Sequence, residues 1–466
     1  MESLILFGLV FVFLFLGVPV AVSLGLSSVL VIAIFSHDSV SSVALQLYTA
    51  SQNYTLLAIP FFILASSFMS TGGVARRIIR FAIAAVGHVR GGLAIASVFA
   101  CMLFAALSGS SPATVVAIGG IAIAGMMQAG YTKQFAAGVI ANAGTLGILI
   151  PPSIVMVVYS AATDVSVGRM FLAGVFPGLL AGLMLMVAIY VNARMKGMRK
   201  EPFVGMTEVF ESAGAASWGL FLIVIILGGI YGGVFTPTEA ASVAAVYSFL
   251  IAVFIYRDMG PLKDVEWRED GEGLSSVIVR NTGLTLKNSL AVFYHDDTRK
   301  VMVDSAKTTL MLMFVIVNAL VFAHVLTSEN IPQYVTNLML DAGFTWFTFL
   351  IAVNIILLLG GQFMEPSGLL LIVAPVVFPI AVELGIDPIH LGVIMVVNME
   401  IGMVTPPIGL NLFVTSAITG MSMVEVIKAA MPFVCVMFIF LLMITYIPAI
   451  STWLPTTMMG PEIITQ

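Results

Sequence analysis

The chain has 466 residues, of which 60% are hydrophobic and only 9% charged, and its mean hydropathy is +1.10. A soluble domain carries roughly 25% charged residues, so a soluble enzyme is excluded and most of this chain belongs in lipid. A net charge of −5 without a lysine-rich block argues against a nucleic-acid partner, and the two cysteines, Cys101 and Cys435, lie in apolar runs and read as small core residues.

The apolar runs are continuous over more than about 18 residues, which selects spanning helices over the alternating segments of about 10 residues that build a membrane barrel. In chain order, residues 1–54 read as an N-terminal span, Leu4 to Phe35, and an outer loop. Residues 55–200 read as a first repeat of scaffold arm, hairpin and broken helix, and 201–256 as two connecting spans. A hydrophilic segment, 257–304, precedes a second repeat, 305–450, and a C-terminal tail, 451–466. The alternating pieces SVIVRN and TLKNSLAVFY of the hydrophilic segment read either as a small strand hairpin or as a solvated linker.

Lys and Arg set the orientation, because short loops rich in them stay in the cytoplasm. Three clusters are placed there: Arg76, Arg77, Arg80 and Arg90; Arg194, Lys196, Arg199 and Lys200; and the stretch from Arg257 to Lys307. The loops at 36–54, 231–239 and 327–335 carry neither residue and fit the other face. This counting puts the N-terminus inside and the C-terminus outside. Arg169, beside Asp164, is then a basic residue of the outer face, suited to a local ion pair or to docking a partner.

Two motif pairs recur. SGSSPAT (108–114) is followed by NAGTLGILIPPS (142–153), and GGQFMEPSG (360–368) by NMEIGMVTPPIGLN (398–411). Gly147, Pro151 and Pro152 match Gly402, Pro406 and Pro407, and Pro112 matches Pro366 at nearly the same displacement. The first pair follows a basic stretch (76–90) and the second an uncharged one (327–341), so the repeats have inverted topology. The expected fold is therefore an all-α polytopic membrane protein of two inverted-topology repeats. The runs 94–128 and 345–385 are read as re-entrant helical hairpins in preference to pairs of full spans, and the Pro-Pro segments as broken helices. A helix interrupted at membrane depth leaves carbonyls and N–H groups without partners, which is tolerated where they line a cavity. Paired breaks in corresponding positions of two halves point to a transporter's midplane site.

At these residues the sequence resembles the large membrane subunit of the tripartite ATP-independent periplasmic (TRAP) transporters. The matching stretches are TLLAIPFFILASSFMSTGG (55–73), FAALSGSSPATVVAIGGI (104–121), NAGTLGILIPPS, GGIYGGVFTPTEAASVAA (228–245), DSAKTTLMLMF (304–314) and PPIGLNLFV (406–414). The resemblance implies an elevator-type, Na⁺-coupled symporter subunit of the bacterial inner membrane. It implies two partners, a small four-helix membrane subunit and a periplasmic substrate-binding protein. It also implies C4-dicarboxylates as the commonest substrates, with sialic acid and other sugar or keto acids as rivals. The 257–304 segment is longer than the family's usual pattern.

Hard cations take several oxygens, and neutral ones suffice. Ser108, Ser110, Ser111, Asn142, Gly144 and Thr145 are candidates for one Na⁺ site, and by repeat symmetry Gly360, Gly361, Met403 through its carbonyl, Thr405 and Pro406 for a second. Close helix packing is the plain alternative for the small residues. Ser110, Asn142, Glu365, Asn411 and Thr415 are candidate substrate contacts. Glu365 is equally placed to cap a helix, and Glu400 to support the second site or to make a structural hydrogen bond; protonation of either would make H⁺ the coupling ion. No Lys or Arg lies between 308 and 427, so a bound anion would rely on Na⁺ and on helix N-termini after Pro112, Pro152, Pro366 and Pro407. That suits small organic anions.

Thr236, Pro237, Thr238 and Glu239 spell a capping box, and Arg76, Arg77 and Arg80 lie on an amphipathic stretch suited to the membrane surface. The five histidines have no ligand spacing, and no phosphate-binding loop suggests ATP. A Na⁺-independent channel or facilitator remains the alternative class. An intramembrane enzyme would need a catalytic constellation that the sequence does not offer.

Overall fold

The computed structural model describes residues 2–35, 44–45, 47–49, 52–198, 200–263, 265–268 and 273–460. Among them every regular element is helical, and eight helices are long and apolar enough to cross a membrane. Each repeat supplies the same parts. The arms are Ala58–Thr71 and Asp296–Ser328, and the hairpins pair Gly92–Ser108 with Ser111–Gln128 and Trp346–Gly361 with Pro366–Glu383. The first broken helix is Lys133–Ala143 with the turn Gly144–Ile148, resumed as Ile154–Thr163; the second is Pro388–Gly402, resumed as Leu410–Thr419. Val167–Met195 and Met423–Tyr446 close the repeats.

The repeats interlock across each other. The outgoing hairpin helix Ser111–Gln128 packs on Leu410–Thr419, and its equivalent Pro366–Glu383 packs on Ile154–Thr163. Likewise Lys133–Ala143 packs on Met423–Tyr446, and Pro388–Gly402 on Val167–Met195. Reciprocal pairings of this kind are what a two-fold axis between the repeats requires. All fifteen residues of Pro388–Gly402 are buried, which explains why that helix is apolar on every side. Around this interlocked part, the arm Ala58–Thr71 packs on Pro237–Leu250 and on the second arm, and the second arm packs on Val20–Ile34.

Arg76 and Arg77 both pair with Asp258, and Arg80 makes a two-pronged contact with Glu208 at 2.7 and 3.0 Å. The basic stretch at 76–80 and the starts of the connecting and hydrophilic segments therefore share one face of the molecule. Arg169 sits at the far end: its guanidinium donates to the carbonyls of Met459 and Gly460 at 2.9 and 2.7 Å, so the end of the C-terminal helix lies beside it. Arg169 and Arg194 belong to one continuous helix, and 25 residues of rise separate them by about 38 Å, enough to place them on opposite sides of a hydrocarbon layer of about 30 Å. The capping box forms as expected, with Thr236 and Glu239 exchanging bonds at the start of Pro237–Leu250.

Four expectations need correction. The run from Leu4 to Phe35 is two helices in mutual contact, Glu2–Phe15 and Val20–Ile34, because Gly17 takes φ +80° and Pro19 cannot continue a helix. The strand hairpin in 257–304 is absent from the described residues: Leu274–Asn288 and Ala291–Tyr294 are helical, and the second arm starts at Asp296, inside the stretch read as hydrophilic. The C-terminal tail holds a helix, Ala449–Met459, packed on Val167–Met195. Cys101 is buried as expected, but Cys435 is exposed on the outside of Met423–Tyr446. Most of the outer loop 36–54 and the acidic pair Glu269 and Asp270 lie outside the described residues.

Candidate functional site

The two Pro-Pro pairs interrupt their helices in the same way. Both are joined by cis peptide bonds. Two residues past the second proline, the freed N–H turns to the tip of its own hairpin: Ile154 N donates to the Gly109 carbonyl at 3.3 Å, and Gly409 N to the Gln362 carbonyl at 3.2 Å. Backbone approach this close needs small residues. A Cβ on Gly147 would fall 2.6 Å from the Ser110 carbonyl oxygen, and one on Gly402 would fall 2.8 Å from the Gly361 backbone. These two glycines are repeat equivalents, and each seats a broken helix on its hairpin.

Between the repeats lies a buried polar network. Ser111 Oγ donates to the Gly144 carbonyl at 3.0 Å and accepts from Asn411 Nδ2 at 2.7 Å; the same amide reaches the Ala141 carbonyl at 3.2 Å. Thr145 Oγ1 contacts the Asn142 carbonyl and Glu400 Oε1, both at 2.7 Å. Ser108 and Thr114 share a 2.8 Å bond beside the Ser110 carbonyl. Asn142 Oδ1, Asn411 Oδ1, Thr415 Oγ1 and Glu400 Oε2 are buried oxygens without a hydrogen-bond partner. Such atoms are costly unless something pairs with them. Each can accept, and oxygens of this kind are what a hard cation takes; the Asn142 amide itself donates to the Gly138 and Ala430 carbonyls at 2.9 and 3.3 Å.

Parts of the second predicted set adjoin one another. Met403 O accepts from Asn411 N at 3.0 Å, and a Cβ on Gly409 would meet the Met403 and Thr405 carbonyl oxygens at 3.0 Å each. Thr405 and Pro406 belong to this turn and Gly361 touches Gly402 just before it, whereas Gly360 packs on Leu369. Glu400 does not join it. It faces Thr145 of the first set.

A cavity of about 320 Å³ lies where the two tips meet the arms. Gly109, Ser110, Pro112 and Ala113 line it from the first hairpin, and Glu365, Pro366 and Ser367 from the second. Of the candidate substrate residues, Ser110 and Glu365 reach this space, whereas Asn142, Asn411 and Thr415 are fully buried behind it. Glu365 caps its helix, accepting from Gly368 N at 3.1 Å and Ser367 Oγ at 3.0 Å. Sequence reasoning passed over Ser66 and Ser67 of the first arm and Thr308 of the second, which also line the cavity. Ser67 bonds back to the Ile63 carbonyl at 2.8 Å, as hydroxyls in apolar helices commonly do, so nothing in its local pattern marks it.

Comparison with known proteins places this arrangement. The solved YdaH transporter of Alcanivorax borkumensis, described as having an unusual topology, superposes with a TM-score of 0.55 over 88% of this chain and 89% of that one. At 13% identity, that likeness concerns the fold alone. A C4-dicarboxylate TRAP transporter large permease protein of Vibrio cholerae is 66% identical over the whole of both chains. Its namesake in Pseudomonas aeruginosa is 58% identical over 93% of each. The family model for the tripartite ATP-independent periplasmic transporter, DctM component, matches residues 7–450. The chain is thus a membrane transport protein rather than an enzyme, and it belongs to the TRAP transporter family as a DctM component.

Proposed function

We propose that this permease carries C4-dicarboxylates into the cell, driven by Na⁺, in the bacterial inner membrane. It works with a small four-helix membrane subunit and a periplasmic substrate-binding protein. The substrate class rests on the large permeases of 66% and 58% identity whose names give C4-dicarboxylates. The observation that carries the coupling is the cavity itself, where, among the described residues, the one ionisable lining residue is Glu365, an acid. A dicarboxylate cannot enter a low-dielectric space beside a carboxylate without compensating positive charge. Helix N-termini at the tips supply part of it, and co-transported cations supply the rest.

Ser108, Ser110, Ser111, Asn142, Gly144 and Thr145 would hold one ion, and Gly360, Gly361, Met403, Thr405 and Pro406 a second. The orphaned Asn142 and Asn411 oxygens support the first set, and the converging Met403 and Thr405 carbonyls the second. In this reading the interlocked hairpins and broken helices move as an elevator against the arms Ala58–Thr71 and Asp296–Ser328, and the cavity lies on that boundary. The N-terminus is cytoplasmic and the C-terminus periplasmic, following the basic clusters.

The test is uptake of labelled succinate into proteoliposomes holding this chain and its small subunit. The binding protein and an inward Na⁺ gradient are each added or withheld. Accumulation that needs both is expected. Accumulation without Na⁺ removes the cation assignments, and equilibration without concentration makes the protein a facilitator.

A further inference from the structure

Past the end of the Pro237–Ile255 span the chain forms a compact clasp. Arg257 is buried; its guanidinium donates to Asn281 Oδ1 at 2.6 Å and to the Phe254 and Val265 carbonyls at 3.3 Å, and it lies 4.5 Å from the centre of the Trp267 ring. Trp267 Nε1 donates to the Ile255 carbonyl at 2.6 Å. Asn281 is the middle of helix Leu274–Asn288, so that helix is fastened at its centre to the end of a membrane span. Further on, Phe293 stacks on Phe249 with centroids 5.5 Å apart, and Val292 is buried with Ala252 and Val253. Phe249 lies six residues inside the span, about 9 Å along the helix axis, so the Ala291–Tyr294 turn descends below the span's end.

With Asn281 turned inward, the outward side of the helix is fixed. At 100° per residue, Ile278, Thr282, Ser275, Leu286 and Val279 fall between about 60° and 160° from Asn281, Lys287 lies about 80° beyond Val279, and Arg280 turns back to the clasp, donating to the Glu266 and Trp267 carbonyls at 3.3 and 3.1 Å. Val279, Leu286, Leu290 and Tyr294 are each at least 70% exposed. Exposed large apolar side chains with a lysine on the neighbouring flank are the composition of a helix lying in a membrane interface. The segment is also tied to membrane helices at two points, at its centre through Arg257 and at its end through Asp296, the start of the second arm.

We propose that residues 274–294 are an interfacial anchor. The outward face formed by Ile278, Val279, Leu286, Leu290 and Tyr294 is immersed at the headgroup–acyl boundary of the leaflet on the Arg76–Arg80 side, with Lys287 meeting anionic headgroups. The lipid surface is the occupant because the clasp holds the helix at the level where the spans end, and the Phe293–Phe249 stack carries its last turn deeper still. The anchor fixes the depth of the second arm.

The test uses the full chain with Cys435→Ser, the buried Cys101 kept in place, and one added cysteine at Val279, Leu286, Thr282 or Lys263, labelled with an environment-sensitive fluorophore. Thr282 is a small polar position on the same arc, so its cysteine reports the face even where an apolar replacement disturbs folding. Lys263 is an exposed reference. In vesicles of phosphatidylcholine and phosphatidylglycerol doped with headgroup-nitroxide lipid, quenching at 279, 282 and 286 is expected to be several-fold stronger than at 263. Iodide should quench in the reverse order. Iodide quenching at all four sites alike overturns the anchor, and protection of the arc from both quenchers overturns it in favour of a protein partner.

Discussion

Thr145 and Glu400 meet at 2.7 Å, and their separation of 255 positions is the displacement that carries Gly147 onto Gly402 and Pro151 onto Pro406. They are repeat equivalents. Equivalent residues touch each other only on the axis that relates the repeats, so this hydrogen bond marks the centre of the interlocked core. Thr145→Val leaves both Glu400 oxygens without a partner in a fully buried place, because Oε2 already lacks one. The expected loss of stability is about 1–3 kcal/mol. Thermal unfolding of T145V, E400L and the double variant checks it. The double variant should recover part of the loss of T145V, and strict additivity would show that the two side chains do not support each other.

Gly147→Ala and Gly402→Ala should fail alike. Each methyl would meet hairpin backbone at 2.6 to 2.8 Å, and backbone cannot step aside as a side-chain end can. Both variants should insert in the membrane, because neither changes hydropathy, and both should lose succinate uptake by at least about tenfold, the equivalent of about 1.4 kcal/mol. Wild-type uptake from either variant would mean that its hairpin is not seated on the break as tightly as on its mate.

The repeat was legible because Gly and Pro punctuate a helix in ways that survive without an alignment. The Pro-Pro pairs, the small-residue tips and the Thr236–Glu239 cap are local chemistry, and the structure places them where that chemistry demands. Contacts between the repeats were less visible. Sequence puts Thr145 with the first set and leaves Glu400 between support of the second and a structural hydrogen bond, since spacing says which residues share a helix and not which helices cross. The strand hairpin, one of two readings of 276–294, failed for a related reason. Over so short a stretch, alternation and helical periodicity overlap, and Asn281 is polar because it receives Arg257, not because it faces water.

Ser111 separates the cation reading from simple packing. Its hydroxyl both donates to the Gly144 carbonyl and accepts from Asn411, so Ser111→Ala frees one acceptor and one donor without adding volume. If the cluster holds Na⁺, the concentration of Na⁺ for half-maximal uptake should rise several-fold in S111A while the succinate requirement at saturating Na⁺ stays nearly constant. A purely structural serine predicts a lowered maximal rate with no change in the Na⁺ dependence.

Asp258 is the hub of the charged face. It takes both Arg76 and Arg77, is only 19% exposed, and sits beside the Arg77 guanidinium that covers the Tyr256 ring at 3.9 Å. An ion pair in water contributes 0.2–1 kcal/mol, and a partly buried carboxylate serving two guanidinia should exceed that range, so Asp258→Ala is expected to cost somewhat over about 1 kcal/mol. The more exposed Arg80–Glu208 contact should count for less. Ionic strength distinguishes them. With a Debye length of about 3 Å in molar salt, the effect of Glu208→Ala should vanish while most of the D258A deficit remains in thermal unfolding. Equal loss of both effects in salt would place Asp258 in full contact with water and detach the amphipathic stretch at 74–86 from the hydrophilic segment.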